Sequence, residues 1–237
     1  MELQTAAFVI VTCLVLAGTL VGLVTTGRAR HCLTFVVYLT ALVTCETLTI
    51  VWQAAFYTAE FWMIKQALYD VLRTVVALEM AWRVVRAFPG ALRTARWSAL
   101  ALLVGALAVL ATGPHRARYD LLFTWQPRVV ACTALLFTLT ALLVAWYHLP
   151  IRAIHRAIMG GFAIYSAFFV TTLRLLQEWG WEIRWVMNTI QSTALLGVSL
   201  WWLRTSWARD EEAMPQVEEI QALVEGSGAK TAVEKAA

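Results

Sequence analysis

The chain has 237 residues, 60% of them hydrophobic and 14% charged, with a formal net charge of +4. Soluble domains are nearer half apolar and a quarter charged, so this composition excludes an ordinary water-soluble enzyme or binding module. Nor does the positive balance point to nucleic acid, because arginine at loop ends is what the inner loops of membrane proteins carry.

The apolar excess is gathered in blocks of about 20 residues, the length that crosses a hydrocarbon core of roughly 30 Å. The sequence therefore predicts an all-α, polytopic membrane protein with seven transmembrane helices, at 5–25, 33–54, 61–85, 97–112, 129–147, 156–178 and 182–204. The transmembrane domain is expected over 1–209. The opening MELQTAAFVIV places Glu2 where a cleaved signal peptide would be basic, so it reads as a first span with its N-terminus outside. Arg28, Arg30, Arg83, Arg86, Arg93, Arg96, Arg152, Arg156, Arg204 and Arg209 then fall on the inner side, against Lys65, Arg116, Arg118, Arg128 and Arg184 outside. That two-to-one bias gives an N-out, C-in topology in the plasma (inner) membrane.

Span 1 contains Gly18 and Gly22 and span 6 contains Gly160 and Gly161, small residues that let helices approach closely. Span 3, KQALYDVLRTVVALEMAWR, carries Lys65, Asp70, Arg73, Glu79 and Arg83. On a helical wheel, Gln66, Asp70, Arg73 and Ala77 share one side and Lys65, Tyr69, Val76, Glu79 and Arg83 form the adjoining stripe. Ile64, Ala67, Leu68, Val71, Thr74, Val75, Leu78, Ala81 and Trp82 make an uncharged face for lipid or another subunit. Lys65 and Arg83 can snorkel to the interfaces; Asp70, Arg73 and Glu79 need partners, because a charge at mid-bilayer costs about 3 kcal/mol on insertion scales. Glu79 is expected to pair with Arg83 toward the inner side.

Depth suggests partners for the other two. At about 1.5 Å per residue, Glu46 of span 2, Arg174 of span 6 and Asn188 and Gln191 of span 7 share the outer half of the membrane with Asp70 and Arg73. Glu46, Gln66, Asp70, Arg73, Arg174, Asn188 and Gln191 thus define a candidate ligand-binding set, with two acids balancing two bases. A buried ion-pair network that only fixes helix packing is the bland alternative; an outward polar cavity among spans 2, 3, 6 and 7 is the functional one. The tryptophans, all twelve near a predicted span end, read as interfacial anchors.

An internal match accompanies this plan. Val11/Val130, Cys13/Cys132, Leu16/Leu135 and Leu23/Leu142 align spans 1 and 5, and Trp62/Trp181, Thr74/Thr193 and Trp82/Trp201 align spans 3 and 7 at the same offset. Spans 2 and 6 match at a different offset through Phe35/Phe162, Tyr38/Tyr165, Val43/Val170 and Trp52/Trp179. These pairs suggest a 3+1+3 parallel repeat with span 4 as linker. In topology this plan resembles SWEET-type sugar transporters and microbial rhodopsins. The likeness stops there: Pro215-Gln216, a PQ dipeptide, lies in the tail rather than at a span end, and span 7 offers no lysine for retinal.

His31, His115, His148 and His155 lie at span edges or in loops, which argues against a haem pair, and no zinc spacing occurs. With no phosphate-binding glycine loop and no G-x-S-x-G, neither enzyme activity nor cofactor nor metal is expected. Cys13, Cys32, Cys45 and Cys132 fall in apolar blocks and suggest no disulfide framework. The segment 210–237 reads as a mobile cytoplasmic tail, too short for an output domain. Partners are then the lipid bilayer, a small polar solute and, at the inner loops, a protein. The expected function is a small-molecule transporter or facilitator; a receptor-like sensor and an accessory subunit of a membrane complex remain open.

Overall fold

The computed structural model describes residues 3–86, 126–149 and 151–208. They form seven helices: α1 (Leu3–Thr25), α2 (Leu33–Val51), the single turn α3 (Gln53–Phe56), α4 (Ala59–Arg86), α5 (Gln126–Trp146), α6 (Ala153–Trp179) and α7 (Arg184–Trp207). Short 3-10 turns at Arg28–His31 and Trp181–Ile183 complete the described chain, which is all-α. The expected span at 97–112 and the tail at 210–237 lie outside the described residues. Four helices, α1, α2, α5 and α6, are long and apolar enough to cross a membrane, which supports a multi-pass membrane protein.

The six long helices close into a ring. Each packs on two neighbours, in the order α1, α2, α4, α5, α6, α7 and back to α1. Glycines permit the tightest of these contacts. A Cβ on Gly18 would lie 3.1 Å from Leu203 Cδ1, and one on Gly22 2.6 Å from Ser206 Oγ, so α1 approaches α7 through its small-residue face. The Arg28 guanidinium then reaches from the first loop to the end of α7, donating to the carbonyls of Thr205 (2.6 Å) and Ala208. Those carbonyls belong to the last turn of α7, where the helix itself supplies no donors. Threonines inside apolar helices bond their own preceding turn, as Thr19 does to Val15 and Thr140 to Leu136, so their hydroxyls are buried with a partner.

Aromatic rings fill the middle of the ring. Phe162 stacks on Phe137 at 4.7 Å between centroids and meets Phe35, Tyr38 and Trp202 at 5.9, 5.1 and 4.9 Å. Trp202 is fully buried and donates from Nε1 to the Ala157 carbonyl at 2.9 Å. This corrects its expected place among the interfacial tryptophans. Its indole occupies the space that Gly161 leaves open, and its N–H has a carbonyl partner, so it can leave the interface. Trp52, Trp62, Trp82, Trp146, Trp179, Trp185, Trp201 and Trp207 are exposed.

Burial also resets the internal match. The buried face of α1 is Thr12, Leu16, Thr19 and Leu23; that of α5 is Thr133, Phe137, Thr140 and Val144, with the same spacing. Leu135 and Leu142, which identity had aligned with Leu16 and Leu23, are 62% and 59% exposed. The identities in this pair of helices thus join exposed positions to buried ones. In α4 and α7 the matching buried positions are Val76/Val198, Ala77/Ser199, Met80/Trp202 and Val84/Ser206. For α2 and α6 the positions aligned by identity are buried together: Phe35/Phe162, Tyr38/Tyr165, Leu39/Ser166 and Leu42/Phe169.

The α6–α7 contact predicts a sharp contrast between two glycines. A Cβ at Gly161 would fall 2.4 Å from Trp202 Nε1, whereas none of the described atoms lies within 4 Å of one at Gly197. Gly161→Ala should destabilise the bundle by about 1–3 kcal/mol through overpacking. Gly197→Ala should be neutral or gain about 0.5–1 kcal/mol of helix propensity. Unfolding in mixed detergent measures both.

Candidate functional site

Helix α4 sets the site. Its exposed residues include Ile64, Val71, Val75 and Trp82, and its buried ones Tyr69, Asp70, Arg73, Val76, Ala77, Met80 and Val84, so the polar side faces the bundle as the wheel predicts. Thr74, assigned by that wheel to the clean face, instead meets Thr133 of α5 at 3.1 Å. The ionised groups of α4 separate into three levels.

At the level nearest the expected outer end, Lys65 Nζ bonds Glu46 Oε1 of α2 at 2.9 Å, with the two side chains 12% and 21% exposed. The same carboxylate oxygen is 3.4 Å from the Tyr69 hydroxyl. Lys65 is thus no free interfacial anchor. It lies one turn before Tyr69 on the side of α4 facing α2, and at that depth an ion pair inside the bundle replaces snorkelling.

One turn deeper sits Arg73, only 3% exposed, with Nη1 3.5 Å from Asp70 Oδ1. The Tyr165 ring lies under the guanidinium at 5.5 Å, a cation–π contact from α6, and the Tyr38 hydroxyl of α2 is its other close polar neighbour. Gln66 lies beside the Asp70 carboxylate. Among the described residues, Nε and Nη1 of Arg73 and Oδ1 of Asp70 make no hydrogen bond.

At the third level Glu79 pairs with Arg83 at 2.6 Å and accepts a hydrogen bond from the Thr34 hydroxyl of α2. This is the expected inner pair. It ties α2 to α4 away from the cavity, below the aromatic cluster.

Between the first two levels lies a cavity of about 240 Å³. Its walls come from Thr12 and Cys13 of α1, Tyr38, Leu42 and Glu46 of α2, and Trp62, Lys65, Gln66, Tyr69 and Arg73 of α4, with Tyr165 and Phe169 of α6 and Asn188, Gln191, Ser192 and Leu195 of α7 opposite. These come from the N-terminal halves of α1 and α7, the stretch 62–73 of α4, 38–46 of α2 and 165–169 of α6, toward one end of the bundle. The aromatic cluster around Phe162 closes it beneath.

Five of the expected residues line this cavity: Glu46, Gln66, Arg73, Asn188 and Gln191. Asp70 stands behind Arg73 rather than in the wall. Arg174 is not brought to the site: it is exposed, at about 140° around α6 from Phe169 by helical geometry. Depth had placed it at the right height, but its azimuth turns it away. Lys65 supplies the second base instead, so the cluster keeps two acids and two bases. Tyr38, Tyr69 and Tyr165 were not among the expected site residues, although Tyr38 and Tyr165 had already paired in the internal match and Tyr69 sat on the polar stripe of α4.

No protein-family model, curated protein or solved structure matches the chain.

The Glu46–Lys65 pair yields a double-mutant test. Removing one member leaves the other half-buried and unpaired, so Glu46→Gln and Lys65→Met should each destabilise the bundle by about 1–3 kcal/mol. The double variant should recover more than half of their summed loss; additive losses would show that the pair does not couple.

Proposed function

We propose that this chain is a multi-pass membrane protein, N-out and C-in, that admits a small polar solute from outside and conducts it as a transporter or facilitator. One observation carries the proposal: a cavity within the bundle, open toward one end, has at its floor a buried arginine whose donors are only partly bonded. A helix bundle does not need such a group for its stability, since apolar residues in its place are often as stable. Binding rather than chemistry suits the site, which joins fixed charges to aromatic walls.

A 3+1+3 duplication fits the ring order. Exchanging α1, α2, α4 with α5, α6, α7 maps every neighbouring pair of helices onto another neighbouring pair, and the buried faces correspond at one register per helix pair. Two such halves meeting at a solute site are the plan of transporters with parallel repeats. The cluster around Phe162, resting on matched rings Phe35 and Phe162, would then be the closed inner side of an outward-open state.

Two measurements test the proposal. Cysteines placed at Asn188, which is exposed, and Gln191, which is half-buried, in a background with the four native cysteines replaced, should react with an impermeant maleimide from outside; full protection of both overturns the outward opening. Proteoliposomes should take up a small polar solute, with Arg73→Ala reducing uptake by about tenfold or more. Equal behaviour of intact and Arg73→Ala protein across neutral, anionic and cationic panels overturns transport.

A further inference from the structure

The charges that line the cavity say what it should hold. We infer that the occupant is a small monocarboxylate with a flat apolar body, its carboxylate seated on Arg73; this rests on the solute-binding reading above and narrows it to one chemical class. Glu46, Lys65 and Arg73 face the cavity, whereas Asp70 lies behind Arg73 and outside the lining. The lining itself thus presents one carboxylate and two cations, with Asp70 behind Arg73 balancing the cluster as a whole. Glu46 is already engaged, one oxygen serving both Lys65 and Tyr69, which leaves Arg73 as the group with capacity to spare.

Arginine keeps its charge in proteins and presents five donors in a plane. Here Asp70 approaches Nη1 at 3.5 Å and offsets the charge; Nε and Nη1 are buried and make no hydrogen bond among the described residues, so a solute reaches them as the side chain turns toward the cavity. A carboxylate supplies planar acceptors of the right kind, and its hydrogen bonds to a guanidinium are of the stronger, charge-assisted type. A cation would meet the Arg73 and Lys65 charges. A dianion would bring a second negative charge beside Glu46 and Asp70, with Lys65 already engaged by Glu46.

The rest of the lining selects the body. Tyr38 and Tyr165 flank the guanidinium, and Phe169, Leu42 and Leu195 add apolar wall. The volume of about 240 Å³ is below the range of drug-sized sites, roughly 300–1,000 Å³. That leaves room for on the order of ten non-hydrogen atoms, a single ring or a short branched chain with its carboxylate.

Benzoate, benzamide and benzylammonium share a ring and differ in charge, so titration calorimetry of the purified full-length protein with these three probes tests the assignment. Benzoate should bind about tenfold or more tightly than either of the others. Arg73→Lys, which keeps the charge but loses the planar donors, should weaken benzoate by about tenfold and leave benzamide unchanged. Ser192→Phe, which fills the cavity without touching Arg73, should abolish benzoate binding and serves if Arg73→Lys does not fold. The inference is overturned if benzamide or benzylammonium binds as tightly as benzoate, if benzoate does not bind, or if neither variant alters it. Failure of benzoate alongside Arg73-dependent uptake of neutral solutes would sink the carboxylate class alone. Absence of both binding and uptake would sink the transport reading with it.

Discussion

A guanidinium that cannot give up its proton, buried in the middle of an apolar bundle, constrains everything around it. Arg73 is 3% exposed, and it can hold that position only because α2, α4 and α6 each bring something to it. Asp70, one turn back on its own helix, supplies the opposite charge. Tyr165 supplies a ring face and Tyr38 a hydroxyl. These demands fix the rotation of α4 about its axis, and that rotation in turn sends Ile64, Val71 and Val75 outward and Val76, Met80 and Val84 inward. The ring closes around this helix: its neighbours α2 and α5 pack on its two flanks. An apolar residue at position 73 would leave the orientation of α4 far less determined.

Much of this was legible in the sequence, and the limits have physical causes. Length and apolarity located the helices, because a hydrocarbon core allows few other structures. The periodicity of α4 gave its buried side, since five charges on one helix have only one place to point. What depth could not give was azimuth. Arg174 and Lys65 lie at similar heights, but Lys65 shares the stripe of Tyr69 and faces α2, whereas Arg174 falls on the far side of α6. A wheel drawn for α6, with its run of Phe162, Tyr165, Ser166 and Phe169, would have separated them. Trp202 was misplaced for another reason. A rule about interfaces describes indoles at helix ends, and only the space above Gly161 reveals that this ring turns inward.

The internal match shows the same limit. Among leucines and valines, identity is cheap, so alignment by identity in α1 and α5 paired lipid-facing Leu135 and Leu142 with core Leu16 and Leu23. The buried spacing of Thr12, Leu16, Thr19 and Leu23 repeats in Thr133, Phe137, Thr140 and Val144 even though only the threonines are identical. In an apolar helix, the pattern of what is covered carries more information than which aliphatic residue covers it.

On the duplication reading, the two halves are alike in shape and unlike in charge, and that asymmetry has a mechanical consequence. At matched positions the first half has Lys65, Gln66, Tyr69 and Arg73, where the second has Met187, Asn188, Gln191 and Leu195. Both ion pairs at the cavity, Glu46–Lys65 and Asp70–Arg73, therefore lie within α2 and α4 and do not bridge the halves. Across the divide run the Arg73–Tyr165 contact, the Thr74–Thr133 hydrogen bond, the aromatic cluster and, at the far end of the bundle, the Arg28 hydrogen bonds to the last turn of α7. Breaking an ion pair in a low-dielectric interior would cost several kcal/mol, whereas a cation–π contact is worth about 0.5–2 kcal/mol and rings can slide. A rocking motion of one half against the other would leave both cavity ion pairs intact. On the transport reading proposed above, both cavity ion pairs would stay in the half that carries Arg73, while the other half, which brings only uncharged side chains to the cavity, moves over them.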